Sequence, residues 1–295
     1  MNSLHFTETD RFAAALVTGA RMELCLTPKP GLVDLADCGS HPDLSFSRME
    51  LSLNFLARYL HELLLSLAAG EPFPCQTSIG MRCENEMLAA LGTNTHKGYL
   101  FLSGLFLVAR WHEPSDDERS FRRAIASLAG DFFDRQRDMA TNGRQARVRY
   151  GAGGIVHEAR SGFPTLFDEA LPVYRETIGR YGSFMTASFA MLARLMQTVE
   201  DTTTLHRCGA LGLARMKRDG RQIERIIAAG DDCVPFLKAL NREYIRMNLT
   251  MGGVADMLGL SYGCLIASGA IREESLQAAP PQTPFSCFDT GRAQT

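Results

Sequence analysis

Apolar residues recur at helical spacing along most of the chain. Phe12, Ala13, Leu16, Val17, Ala20 and Leu24 mark one face of a helix over 9–26, with Thr9 placed to cap it. A capping-box pattern from Ser47 to Glu50 opens a second helix over 48–69, carrying Leu51, Phe55, Leu56, Tyr59, Leu63 and Leu67. Gly70 to Pro74 stops it, and a helical stretch follows over 79–91. The run from Tyr99 to about His112 is apolar on all sides, the pattern of a buried helix. A second capping box, Ser115 to Glu118, opens a helix to Met139. Helical periodicity then returns over 166–179, 183–199, 204–218, 220–229, 232–247 and 253–269. No sustained period-2 alternation occurs and no strand–helix rhythm. The expected fold is all-α, a single-domain bundle of about ten to twelve helices over 1–277, followed by a proline-containing tail over 278–295.

The interruptions of this pattern are as informative as the helices. From Thr27 to Asp43 the chain concentrates Pro28, Pro30, Gly31 and Gly39 with Lys29, Asp34, Asp37, His41 and Asp43. Proline disfavours helix in the residue before it, so Thr27 and Lys29 are pushed to extended geometry. This is an ordered irregular loop between two helices, stiff and rich in chemistry. Four further polar interruptions follow: Glu84 with Asn94, His96 and Lys97; a glycine-rich segment over 142–164 holding Tyr150, Glu158 and Arg160; Asp201, Thr202, His206 and Arg207; and Asp256 after Gly252 and Gly253.

Composition narrows the function classes. Apolar content of 45%, charged content of 22% and a net charge of −2 are those of an ordinary globular protein. No charge excess argues for nucleic acid or an anionic membrane. The eight cysteines form no CxxC pair and no zinc spacing. Glu8, Asp10 and Arg11 stand where a secretory signal would be apolar, and the most apolar run is too short to cross a bilayer. The expectation is a soluble cytoplasmic protein with reduced thiols.

Phosphate loops and hydrolase elbows are absent: there is no GxxxxGK[ST], no complete GxGxxG, no HExxH and no GxSxG. What the polar interruptions offer is a mixture of acids with Lys, Arg and His. That mixture suits a Mg²⁺-bound polyphosphate, carboxylate oxygens holding the metal and basic groups the remaining phosphate oxygens. Asp34 and Asp201 are equally placed to cap helices, and His41 and His96 to bond within their loops.

Taken in order, TPKPGLVD with GSHPD, NTHKG, the YG-to-SGFPT segment, DT with HR, and GG followed by AD resemble the triphosphoribosyl-dephospho-CoA synthase family, from Thr27 to Leu258. That family makes the precursor of the prosthetic group of citrate lyase or malonate decarboxylase, and it is all-helical. The resemblance implies transfer of triphosphoribosyl from ATP to the 2′-hydroxyl of 3′-dephospho-CoA, with adenine leaving and Mg²⁺ as cofactor. A downstream transferase that loads the acyl carrier protein is the implied partner.

A glycosyl transfer through an oxocarbenium-like transition state needs a base near the hydroxyl, negative charge near C1′ and a proton for adenine. Carried onto the motif positions, this makes Asp34 and Asp43 the expected catalytic acids and Asp34, Glu84 and Asp201 the expected metal ligands. Lys29, His41, Asn94, His96, Lys97, Glu158, His206, Arg207 and Asp256 are then the expected substrate contacts. The chain departs from the family pattern at Val156 and His157, where an arginine is usual, at Thr203 for asparagine, and at Met251 and Val254 for proline and serine. These departures leave open a catalytically weakened relative that binds a nucleotide or CoA-like ligand, or a related nucleosidase.

Overall fold

The computed structural model describes residues 3–93, 95–135 and 151–271; Asn94, Tyr150 and the 278–295 tail lie outside the described residues. Among the described residues the chain forms eleven α-helices and one π-helical turn, with no strand. In order they are α1 (Ser3–Cys25), α2 (Phe46–Ala68), α3 (Phe73–Leu91), α4 (Lys97–His112), α5 (Glu118–Arg135), α6 (Gly154–Arg160), the π-helical turn Thr165–Ala170, α7 (Leu171–Tyr181), α8 (Phe184–Thr198), α9 (Thr202–Ala228), α10 (Val234–Met247) and α11 (Gly252–Ala267).

The centre of the bundle is α11, whose Val254, Met257, Leu258, Leu260, Tyr262 and Leu265 are all fully buried. It packs most extensively against α1, and α4, α8, the π-helical turn and α9 complete the surround, while α2 packs on the other elements α1, α3 and α4. Contact between α1 and α11 is close enough that a Cβ at Gly19 would overlap the backbone of Gly259 and Gly263. The apolar run of α4 is buried as its composition requires, from Tyr99 through Ala109.

Several helix boundaries differ from the periodicity reading, each for a local reason. Thr9 lies inside α1, its hydroxyl donating to the His5 carbonyl at 2.9 Å. Extended Ser45, not Ser47, caps α2 by accepting from the Arg48 amide at 3.3 Å. Asp117, not Ser115, caps α5 through the Ser120 amide at 2.9 Å. The break at Gly70–Pro74 is present, α2 ending at Ala68, but the next helix starts earlier than residue 79, with Pro74 in the first turn of α3, where its missing N–H costs nothing. The described part of the glycine-rich segment contains the short α6. The break expected near residue 219 is absent: α9 runs through Gly220, which is needed because α8 passes close, its Ala193 carbonyl and Met196 pressing on that position. The kink in α9 falls instead at Gly209, at φ 65° and ψ −167°.

Candidate functional site

The Thr27–Asp43 loop is held from inside by Asp34. Its Oδ2 accepts from the Lys29 amide at 2.8 Å, and its Oδ1 accepts from the amides of Ala36 at 2.7 Å and Asp37 at 3.2 Å. Asp34 is buried, and desolvation pushes its carboxyl above the usual range while those amides pull it back. Lys29 is buried completely, and its ammonium donates to the carboxylate and carbonyl of Glu23 at the end of α1. From outside, Asn241 of α10 clamps the loop twice, accepting from the Gly31 amide and donating to Asp37 Oδ2, both at 2.8 Å. Gly31 takes φ +69° where a Cβ would overlap the Leu249 carbonyl.

The far end of the loop is tied to α9. Arg207 donates to the Ser40 carbonyl at 2.7 Å and to Asn248 Oδ1 at 3.1 Å, while His41 Nε2 meets Thr250 Oγ1 at 2.6 Å. His206 is exposed. Asp43 is exposed too and accepts from the Thr93 hydroxyl at 2.8 Å, which holds its carboxyl below the usual range.

The Lys97 side chain is exposed and paired with Glu84. His96 is buried, and its tautomer follows from counting protons. The Ser52 hydroxyl spends its hydrogen on the Met49 carbonyl at 2.6 Å, so toward His96 it can only accept. Nδ1 therefore carries the proton, and Nε2 is a bare acceptor that is buried without a partner.

Burial lowers both His96 and His41 to about 4, with Lys29 and Arg207 respectively adding to the effect. A histidine whose folded pKa lies below its unfolded value takes up its proton first in the unfolded chain. Stability is then full above about pH 6.5 and declines as pH falls toward about 4, by roughly 1.4 kcal/mol per pH unit per histidine. Urea midpoints between pH 7 and 4.5 check this. His41→Asn should flatten the acid slope by one proton relative to the parent; parallel profiles would show that His41 is not held neutral.

Asp201 caps two helices at once. Its Oδ1 accepts from the Thr204 amide of α9 at 2.7 Å, and its Oδ2 from the Val254 amide of α11 at 2.9 Å. It is wholly buried, so desolvation pushes its carboxyl up, opposed by the amides of Thr204, Val254 and Gly253. Around it opens a cleft of about 300 Å³, lined by residues of α6, α8, α9 and α11 that include Glu158, Glu200, Asp201, Thr202, Gly253, Met257, His157 and Lys217. Glu158 also holds the π-helical turn, its Oε1 accepting from the Thr165 hydroxyl at 2.6 Å. Glu200 Oε2 accepts from the Gly153 amide at 2.7 Å. Val156 is not part of the lining, whose apolar side chains are Ile155, Val199 and Met257.

Asp256 lies one turn beyond Gly253 on α11 and is not among the residues that line the cleft. Its carboxylate rests on Gly98 at the start of α4, where a Cβ would overlap Oδ2. Its electrostatic neighbours are Glu23 and Asp201. The motif residues thus form a continuous series, from Asp34 and Lys29 through Glu23 and Asp256 to Asp201 and Glu158, of which the last two line the cleft.

As metal ligands, however, Asp34, Glu84 and Asp201 do not come together. The first and last spend their oxygens on amides, and Glu84 is paired with Lys97. Among the described residues no three acids, histidines or cysteines are grouped to hold a metal. A separate concavity lined by Arg119, Arg122, Arg123 and Arg160 lies on α5 and α6.

Glu23 and Asn241 were not among the residues expected from sequence, yet both carry a readable signal. Each is a polar residue on an apolar helical stripe, Glu23 after Leu16 and Ala20, Asn241 between Leu237 and Tyr244.

The family model described as ATP:dephospho-CoA triphosphoribosyl transferase matches residues 9–269. Similar proteins include the probable 2-(5''-triphosphoribosyl)-3'-dephosphocoenzyme-A synthase of Salmonella gallinarum, 31% identical over 85% of this chain and 87% of that one. The synthase of Pectobacterium atrosepticum is 32% identical over 82% and 84%, and that of Klebsiella pneumoniae 29% identical over 81% and 85%. No solved structure matches. No described helix is long and apolar enough to cross a membrane. With the match covering most of its length, the chain belongs to the ATP:dephospho-CoA triphosphoribosyl transferase family.

Proposed function

We propose that the chain transfers the 5′-triphosphoribosyl group of ATP to the 2′-hydroxyl of 3′-dephospho-CoA, releasing adenine, and that it does so in the cleft around Asp201. The observation that carries this placement is the meeting of family motifs far apart in sequence, Glu158, Asp201 and Gly253, on one cleft. Helix starts at Thr202 and Gly253 face it, a setting that favours anions. Lys217 adds a cation with no ion-pair partner among the described residues.

The charge balance of the cleft supports a metal-bearing substrate. Three acids face one lysine, so a bare triphosphate would be repelled more strongly than a Mg²⁺-loaded one. Mg²⁺ typically takes one or two protein carboxylates and completes its shell with phosphate oxygens and water. We place it with the triphosphate rather than in a cage of its own, and Glu200 has an oxygen to offer, since among the described residues only Oε2 is engaged. The product would pass to a transferase that loads an acyl carrier, and ATP as donor puts the reaction in the cytoplasm.

Chromatography of a reaction with ATP, Mg²⁺ and dephospho-CoA tests the reading. Free adenine should accumulate only when all three are present. ADP or AMP as product, or adenine formed equally without dephospho-CoA, would overturn it, the latter in favour of a nucleosidase.

A further inference from the structure

We propose that the arginine-lined concavity between α5 and α6 holds the diphosphate of the acceptor, 3′-dephospho-CoA. The inference rests on the transfer reaction proposed above and goes beyond it by giving the second substrate a site. The reaction brings two phosphate-bearing molecules together. The Asp201 cleft sets one lysine against three acids and has no cation to spare for the second of them.

The concavity does have cations to spare. About 300 Å³ in volume, it is lined by Arg119, Arg122 and Arg123 of α5, by Arg160 of α6 and by Ser161, with Glu118 the one acid in the lining. Two of the four arginines are fixed. Arg122 donates to both carboxylate oxygens of Asp168 at 2.6 Å and to the Gly162 carbonyl at 3.2 Å, and Glu118 stands 3.6 Å from it. Arg160 donates to Asp134 Oδ1 at 2.7 Å. The other two are not neutralised. Arg123 donates to the Ser120 hydroxyl at 2.9 Å and has no ion-pair partner among the described residues, its neighbour Asp117 being turned to the Ser120 amide. The Arg119 guanidinium has no hydrogen-bond or ion-pair partner among them. Both side chains are exposed. Two uncompensated guanidiniums match the two negative charges of a diphosphate diester, and their forked donors suit its paired oxygens.

The position suits the acceptor. His157 lines the cleft, whereas Arg160 and Ser161 line the concavity. Residues three and four apart are neighbours on a helix surface, and the Ser161 amide donates to the His157 carbonyl at 3.0 Å. The two openings therefore adjoin at His157. The whole of α6, at 7 residues, is about 10 Å long. In dephospho-CoA a single ribose separates the reacting 2′-hydroxyl from the 5′-diphosphate. One acceptor molecule can thus rest its diphosphate on Arg119 and Arg123 and extend its hydroxyl to the cleft.

Calorimetric titration of the full-length protein and of R119A/R123A, with dephospho-CoA and separately with ATP and Mg²⁺, tests the site. The double variant should bind dephospho-CoA at least about tenfold more weakly, the size of one lost charge-assisted hydrogen bond. Its ATP dissociation constant should stay within about twofold, well below the effect of one such bond. Dephospho-CoA affinity equal to the parent's overturns the assignment, as does a parent that binds no dephospho-CoA. A loss confined to ATP overturns it too, and gives the concavity to the donor. Adenine release by the parent is followed alongside. A parent that binds dephospho-CoA through these arginines yet releases no adenine fails the function reading alone, and the site stands.

Discussion

Replacing Lys29 by methionine should cost about 3–5 kcal/mol of stability, because it leaves Glu23 buried without its counter-charge. Lys29 is wholly buried and Glu23 nearly so, and both stand where the long loop leaves α1. Removing the two charges together has a different expected result. A Glu23→Leu, Lys29→Met double variant leaves no unpaired ion, and replacing a buried pair by apolar side chains is often neutral or stabilising. It should therefore recover most of the loss. Urea unfolding of the two variants beside the parent provides the measurement. A single variant that loses less than about 1 kcal/mol would mean that Lys29 reaches solvent, and its reading as a triphosphate contact would regain force.

Asp201→Ala carries the second large effect. One carboxylate here satisfies amides at the starts of both α9 and α11, so its loss removes two caps. At about 0.5–2 kcal/mol for each cap, the expected destabilisation is about 1–4 kcal/mol. The cleft should suffer beyond that figure, since Thr202 and Gly253 in its lining belong to the two helix starts that Asp201 joins. Asp201→Asn keeps one acceptor oxygen and should retain about half of the stability while still weakening ATP binding. Thermal melts and ATP titration of the two variants test this. An Asp201→Ala protein that melts with the parent would contradict the double cap.

The helices were legible because their apolar stripes are long, and because all-α periodicity has no competing pattern in this chain. Their starts were less so. Both capping-box patterns, at Ser47 and Ser115, pointed a residue or two away from the side chains that cap, Ser45 and Asp117, since several hydroxyls and acids cluster at each start. The periodicity breaks near residue 219, yet the helix runs on there, because Gly220 is a contact with α8, which depends on a residue more than 20 positions away and leaves no local trace.

Within the candidate site the motif positions were visible and their individual environments were not. Asp34 and Asp201 read as ligands or caps, and only the geometry shows their oxygens taken up by amides. Asp256 read as one more polar residue after two glycines, and only the geometry sets its carboxylate against Gly98. Conversely, Glu23 was within reach of the sequence: an acid on a buried stripe of α1 needs a buried cation, and Lys29 is the first one downstream.

The structure of the protein crystallised with ATP and Mg²⁺ tests the central claim most directly. The triphosphate is expected in the cleft lined by Thr202, Gly253 and Lys217, with the metal between it and Glu200. Nucleotide bound instead in the arginine-lined concavity of Arg119, Arg122, Arg123 and Arg160, with the Asp201 cleft empty, would contradict it.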